Sequence, residues 1–435
     1  MQSTTTTRPI VEDRRKRILM IAGASIGNAL EFYDFIIYGF FATELAATFF
    51  PGRDPTIKLL LTFGTFGVSF LARPIGALWL GGLADRRGRT GAMMLAVAMM
   101  TLASLLITIM PGRAAIGLFA PLGILLARLI QGFALGGEFG SSTALMIEHS
   151  PGGESLAASW QGTSQNVAGL LASSVAFALS ALMPADVFHH WGFRIAFGLG
   201  AIAGPFALLL RRRLEDAPGF LAARKTPPPA EAEPSTIGGI AIAAGMVAIG
   251  TAQTYLIVYL PTFAATQLHM TAGKALGAIV LLYIVTLALV PLRLAIARRF
   301  DRTHRSILMI VSCLAMMAAG YPAFMLLTAW RSPLALFMIP LFFTIIGLPY
   351  NAPLTGYMGM VFPIRHRGIG LSVGYAIGIA AFGGFAPFIN TWLIAQTNDP
   401  RSPGIYLGLT AIVTIIAILA AQRRLPNPTR PAAAG

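Results

Sequence analysis

The sequence predicts an all-α membrane protein of twelve transmembrane helices arranged as two pseudo-symmetric six-helix halves. Three observations predict it. Of 435 residues, 56% are hydrophobic and only 11% charged, far outside the soluble globular range. Apolar stretches of the roughly 20 residues needed to cross a bilayer core recur twelve times. A short charged pattern occurs once in each half: "GGLADRRGRT" follows the second stretch and "ARRFDRTHRS" the eighth. In each, an Asp precedes an Arg and a further Arg stands four positions after the Asp.

The predicted spans are 18–50, 57–83, 92–111, 115–147, 155–183 and 192–210 in the first half. In the second half they are 237–263, 273–297, 307–328, 333–360, 368–395 and 403–421. The first stretch follows "RRKR", exceeds a signal-peptide core and has no small-residue cleavage site after it, so it reads as a retained helix. The longest polar interruption, Arg211 to Thr236, is rich in Pro and in both charge signs and reads as a linker. The predicted organisation is a tail over 1–17, bundles over 18–210 and 237–421, the linker over 211–236 and a tail over 422–435.

A net charge of +15 suggests nucleic acid in a soluble chain, but its placement here follows the excess of Lys and Arg in cytoplasmic loops. With both termini cytoplasmic, 22 of the 32 basic residues fall on that side, against seven outside. The partner implied is the lipid bilayer of a plasma membrane, in a bacterium the inner membrane, with no nucleic acid. The lone Cys313 allows no intramolecular disulfide and no metal site, and no cofactor is expected. An ATP-driven pump needs a phosphate-cradling loop ending in Gly-Lys-Ser/Thr. None of the four lysines stands in one, so any transport must draw on a gradient.

Two parallel halves joined by a cytoplasmic linker is the plan of large secondary transporters, which bind substrate between the halves near the midplane. The charges inside the spans are therefore informative. Only 17 acids exist, and after the linker only Asp301 and Asp399 remain, both in loops. All six histidines lie in loops or at span ends. A buried proton-carrying carboxylate must then come from Glu31, Asp34 or Glu138, or from Glu44 near the outer end of its span. Glu31 and Asp34 stand three apart on one face, roughly 20 to 24 Å along a helix from Ile18. A charge at that depth costs about 3 kcal/mol and marks a cavity, a partner or an ion path. Either acid can instead tie helices together through a fixed ion pair, and Tyr33, Phe35 and Tyr38 around Asp34 are candidates to line a cavity.

Arg128 lies at a similar depth, with the geometry to alternate between a carboxylate and an anionic substrate, or to hold a fixed pair with Glu31, Asp34 or Glu138. Arg73 and Arg293 read equally as snorkelling residues, and Glu138 as part of the loop cluster. Gln161 and Gln165, four apart on the fifth span with Asn166 beside them, are candidate substrate donors. In the half without acids, Gln253, Tyr255, Asn351 and Tyr375 serve in the same way. Each alone is equally an interhelical hydrogen bond.

The string Gly81 to Arg89 resembles the loop motif of the major facilitator superfamily, matching it at Gly81, Leu83, Asp85, Arg86, Gly88 and Arg89. Arg128, Gln131 and Gly132 match that superfamily's fourth-helix motif. Within it, "GNALEFYDFIIYGFFA", "FLARPIGALWLGGLADRRGR", "RLIQGFALGGEFG", "SWQGTSQNVAG" and "WGFRIAF" together look like the metabolite:proton symporters, most like the citrate and tricarballylate members. The resemblance runs through essentially the whole chain, more tightly in the first half. The second charged loop lacks the family's glycines, and Arg293 is a departure beside it.

The resemblance implies a monomeric symporter, not an enzyme, that moves a small organic anion with protons by alternating access. It also implies a gating latch on the cytoplasmic face at Asp85, Arg86 and Arg89, supported by Gly81 and Gly88. The same family plan serves ketoacids, shikimate and betaine-like osmolytes. One reading of a different class stays open: "NALEFYD" faintly resembles the Mg²⁺-binding motif of intramembrane prenyltransferases, a chemistry that needs a second acidic cluster.

Overall fold

The computed structural model describes residues 28–30, 32–87, 89–148, 154–211, 234–300, 305–362 and 367–424, with side chains left aside over 84–90, 137–161, 210–236, 297–305 and 363–369. Among the described residues all regular structure is helical. The first half comprises α1 (32–40 and Ala42–Phe49), α2 (Pro55–Arg87), α3 (Arg89–Ile109), α4 (Phe119–Glu148) and α5 (Glu154–Leu182). It closes with α6, which enters through Ala185–Val187 and a π turn at Phe188–Gly192 before running over Phe193–Arg211.

The second half holds α7 (Pro234–Met246 and Ala248–Gln267), α8 (Ala272–Ala288 and Val290–Phe300) and α9 (Arg305–Trp330). It continues with α10 (Pro333–Ile346, Leu348–Asn351 and Leu354–Met360), α11 (Arg367–Gly378, a π segment Ile379–Gly384, and Ala386–Thr397) and α12 (Pro403–Arg424). Among the described residues eight helices are long and apolar enough to cross a membrane by themselves, and three bent pairs bring the total to 11. With α1 the chain has the predicted twelve. Leu78, Phe119, Ile202 and Leu409 stand exposed around the outside, as lipid-facing side chains do.

The repeat seen in two loops governs the packing. In the first half α2 packs on α4 and α3 on α6; in the second, α8 packs on α10 and α9 on α12. Adding six to each helix number carries one set onto the other. The halves meet through α2 against α11 and α5 against α8, two contacts that the same operation interchanges. This is the pseudo-two-fold relation between the halves.

Close backbone approach within the first half sets the site. Gly132 and Gly136, four apart on α4, face α2 so tightly that a Cβ would strike the carbonyl oxygens of Ser69 and Arg73 respectively. Arg73 and Arg128 are thereby fixed on facing helices.

Three spans of the second half are bent at a break by more than 40°: 44° in α7, 43° in α8 and 44° in α10. In α8 and α10 the breaks at Leu289 and Gly347 immediately precede Val290-Pro291 and Leu348-Pro349, where the missing N–H and the ring's clash interrupt the ladder. The break in α7 has another cause. Thr414 of α12 inserts its hydroxyl between Gly245 and Ile249, donating to the Gly245 carbonyl at 3.1 Å and accepting the Ile249 N–H at 3.1 Å. The Met246 carbonyl accepts from the Tyr350 hydroxyl of α10 at 2.5 Å, and the Ile346 carbonyl of α10 accepts from Ser312 of α9. Groups freed by the breaks are thus satisfied inside the protein, as lipid requires.

Candidate functional site

A cavity of about 240 Å³ lies between the halves, bordered by α1, α5, α7, α8, α10 and α11. It runs from Phe35 and Tyr255 toward the linker end of the bundle, where Arg293, Met358 and Leu371 line it. At the opposite end rings from both halves interlock: Phe63 on Tyr259 (5.6 Å between centroids), Phe66 on Tyr255 (5.8 Å) and Phe70 on Tyr255 (5.1 Å). The broken helices of the second half form much of the wall, because each break turns residues such as Gly250, Val290 and Asn351 toward the cavity.

Five of the predicted substrate residues line this one space: Gln165, Gln253, Tyr255, Asn351 and Tyr375. Tyr375 of α11 hydrogen-bonds Gln165 of α5 and so bridges the halves. Asn351 donates to the Gly347 carbonyl at the α10 break, at 3.1 Å, which leaves its amide oxygen free to turn. Asn166 also lines the cavity. Gln161 lies outside the described side chains.

Asp34, Arg73 and Arg128 sit one ring behind the wall. Arg128 is fully buried and does not line the cavity; its guanidinium carbon is 4.3 Å from the Phe35 centroid, 4.4 Å from Tyr38 and 5.1 Å from Phe66. Stacking on π faces lowers the cost of a desolvated cation without pairing it. One amino group donates to Gln131 Oε1 at 2.7 Å, while Nε and the other amino group have no hydrogen-bond partner. Among the described residues no salt bridge engages Arg128.

Asp34 is 4% exposed, and its Oδ2 accepts from the Ser104 hydroxyl. Ser104 Oγ in turn accepts from Gln131 Nε2 at 3.1 Å and can donate alternatively to the Met100 carbonyl at 3.0 Å. A continuous chain of hydrogen bonds therefore runs from Asp34 through Ser104 and Gln131 to Arg128. Gly200 admits the carboxylate, since a Cβ there would meet Oδ1, an oxygen that has no hydrogen-bond partner. Gln131 stood in the sequence only as part of the fourth-helix motif, and Ser104 carried no signal, because an isolated serine in an apolar helix is ordinary.

Of Tyr33, Phe35 and Tyr38, Phe35 lines the cavity, where Phe32 joins it. Tyr33 donates to the Ala196 carbonyl of α6 at 2.9 Å and Tyr38 to the Thr62 carbonyl of α2 at 3.2 Å. Both serve helix packing. The snorkelling readings of Arg73 and Arg293 also give way: Arg73 is 5% exposed beneath Phe70, and Arg293 lines the cavity with its guanidinium against Gly162. Glu44 is occupied elsewhere, 3.2 Å from His189 Nδ1 and accepting from Thr43 at 2.7 Å.

Glu31 and Gly88 lie outside the described residues, and Glu138, Asp85, Arg86 and Arg89 outside the described side chains. Gly81 has open space where a Cβ would stand, so packing in this conformation places no demand on it.

An interhelical cavity lined from both halves, with a buried acid and cation beside it, is the plan of a membrane transporter with a central site between its halves. The family model described as Major Facilitator Superfamily matches residues 24–353, and the chain belongs to that family. It is 36% identical over 427 residues to a citrate-proton symporter of Klebsiella pneumoniae, covering 97% of this chain and 96% of the relative. It is 28% identical to a proline/betaine transporter of Salmonella typhimurium, covering 97% and 86%. Its fold matches a partially occluded inward-open structure of the xylose transporter XylE from E. coli with a TM-score of 0.73 at 14% identity, covering 94% and 100%. The family is one of transporters, which removes the prenyltransferase reading.

Proposed function

We propose that this protein is a proton-coupled symporter of a di- or tricarboxylate such as citrate, working by alternating access in a bacterial inner membrane with both termini cytoplasmic. The observation that carries the reading is the relay Asp34–Ser104–Gln131–Arg128, buried directly behind a cavity to which the other half contributes neutral hydrogen-bonding groups and, at the linker end, Arg293. The citrate-proton symporter relative supports the substrate class.

In this reading Asp34 carries the proton, with Glu31 as its partner or as a brace to Arg128 and Glu138 as the competing carrier. Ionised Asp34 accepts from Ser104. Protonated, it donates to Ser104 Oγ, whose own hydrogen turns to the Met100 carbonyl, so the carboxylate's hold on the relay is released. Arg128 is then free to bind a substrate carboxylate, while Gln165, Gln253, Tyr255, Asn351 and Tyr375 orient the rest, with Gln161 one turn before Gln165. The cavity runs toward the linker end, the cytoplasmic end in this reading, and the interlocked rings close the outer end. The bundles over 18–210 and 237–421 rock about this site, with Asp85, Arg86, Arg89, Gly81 and Gly88 latching the cytoplasmic face in the alternate state. An inside-negative potential opposes entry of each net negative charge by about 2.3 kcal/mol per 100 mV. A trianion therefore enters only with enough protons to offset its charge.

The test is Asp34→Asn in proteoliposomes. Citrate uptake driven by an imposed pH gradient is abolished while citrate binding is retained; pH-driven uptake at the wild-type rate would refute the assignment. The proline/betaine relative favours a second reading, in which the same scaffold carries a zwitterion, and a substrate panel read by counterflow separates the two.

A further inference from the structure

We propose that Arg73 and Arg128 together form a two-cation receptor for two carboxylates of one substrate, covered in this conformation by Phe35. The inference rests on the polycarboxylate reading above and deepens it by naming the second cation.

The sequence gives Arg73 no role beyond depth, and depth alone fits a snorkelling side chain. The structure instead turns it inward. Its guanidinium carbon lies 4.0 Å from the Phe70 centroid and 4.9 Å from that of Phe35. Arg128 lies 4.3 Å from the same Phe35 ring. The two cations are therefore no farther apart than those two distances to one ring combined. Among the described residues Nε and one amino group of each arginine have no hydrogen-bond partner, and no salt bridge reaches either. Arg73 donates to the Tyr255 hydroxyl, a neutral group of the other half.

Leaving a charge buried without a counter-charge is expensive, more so for two of the same sign. Among the described acids Asp34 acts on Arg128, by its field and through Ser104 and Gln131, and it offsets at most one of the two charges. A fold with no use for Arg73 gains by replacing it with Leu or Met. A site awaiting an anion with at least two charges gains by keeping it. The four unpartnered nitrogens offer two forked faces of the kind that grips a carboxylate in bidentate fashion.

The cover is thin. Phe35 and Tyr255 line the cavity on one side and pack over or bond the guanidiniums on the other. Rotation of the Phe35 ring, or the rocking of α7 that carries Tyr255, opens the pair to a ligand in the cavity. A zwitterion with a single carboxylate fills one fork and brings an unwanted positive charge beside the second. The pair thus acts as a charge-number filter.

The experiment compares purified wild type with Arg73→Gln and Arg73→Lys, measuring affinities for propane-1,2,3-tricarboxylate, glutarate, butyrate and glycine betaine by ligand-induced thermal protection, with counterflow as the transport readout. In the wild type, affinity rises with carboxylate number. In Arg73→Gln, affinity for the tri- and dicarboxylate falls at least tenfold and the step between glutarate and butyrate collapses; Arg73→Lys, which keeps the charge but not the fork, lies between. If Arg73→Gln proves too unstable to assay, Arg73→Lys alone decides, because loss of the bidentate face still flattens the ladder. Wild-type-like ladders in the variants, with polycarboxylate transport intact, overturn the role of Arg73 and leave the symporter reading standing. A wild type that prefers glycine betaine overturns the polycarboxylate reading and this inference with it.

Discussion

The two halves share one packing plan but divide the work. The first half carries Asp34, Arg73 and Arg128 and the second adds Arg293 at the linker end of the cavity; among the described residues no broken span of the first half bends by more than 40°, although Pro74, Pro205 and the π turn of α6 interrupt its ladders locally. The second half has no carboxylate within its spans and bends three helices at the cavity. The difference teaches what each task demands. A buried charge must be held to within tenths of an ångström by rigid neighbours, which Gly132 and Gly136 supply by bringing α4 onto α2. Interrupted helices in the cavity wall expose backbone groups, which neutral side chains such as Thr414, Tyr350, Ser312 and Asn351 satisfy without adding charge.

The sharpest way to break that division is Arg128→Gln. We expect citrate affinity measured by isothermal titration to fall more than a hundredfold, about 3 kcal/mol, with a near-native thermal midpoint; equal binding would show that the charged half does not hold substrate. Next in size is Ser104→Ala, which cuts the relay between Asp34 and Gln131. Uptake driven by a pH gradient should drop about tenfold while counterflow at constant pH is largely kept, since the expected fault lies in coupling, by roughly 1–2 kcal/mol for a lost hydrogen bond to a charged group. Parallel losses in both assays would make Ser104 a packing residue.

In the second half, Thr414→Val removes the hydroxyl from the α7 break and leaves the Ile249 N–H without its partner. A loss of roughly 1–3 kcal/mol of stability is expected, read as a lower melting temperature, with an unchanged order of substrate preference. A changed order would mean that the break shapes recognition as well as motion.

The smallest effect is expected at the α11–α12 turn, where Asn398 adopts the left-handed conformation and Asp399 accepts from the backbone and side chain of Arg401 at 2.9 and 2.8 Å. The Arg401 hydrogen bond holds the Asp399 carboxyl below the usual carboxylate range. Because the folded-state value is depressed, this contribution is fully present above the ordinary carboxylate pKa and is lost as pH falls through the folded one. The pair is solvent-exposed, so Asp399→Asn should change the melting temperature little at neutral pH and not at all in acid. A large shift at pH 7 would place this loop among the structural determinants.

Much of the architecture is legible in the sequence, because crossing a bilayer is a local sum over about 20 residues. The spans and the repeat follow from that sum and from two charged loops. Asp34 is legible for a similar reason: in a helix of apolar neighbours an acid stands out, and the acid census of the second half leaves few competitors. Five cavity residues were also readable, as polar groups in otherwise apolar spans. Arg73 was not, since its role depends on the rotation of α2 about its axis, which hydropathy does not specify.

The sequence by itself determined the number of crossings, the two-fold plan and the scarcity of charge in the second half, since each depends only on residue type and distance along the chain. The tertiary structure alone decided which groups meet. Ser104 finds Asp34 seventy positions away, and Thr414 fills a break 169 positions before it. Such meetings depend on helix rotation and on register between helices, which are set by packing across the whole bundle and not by any one segment.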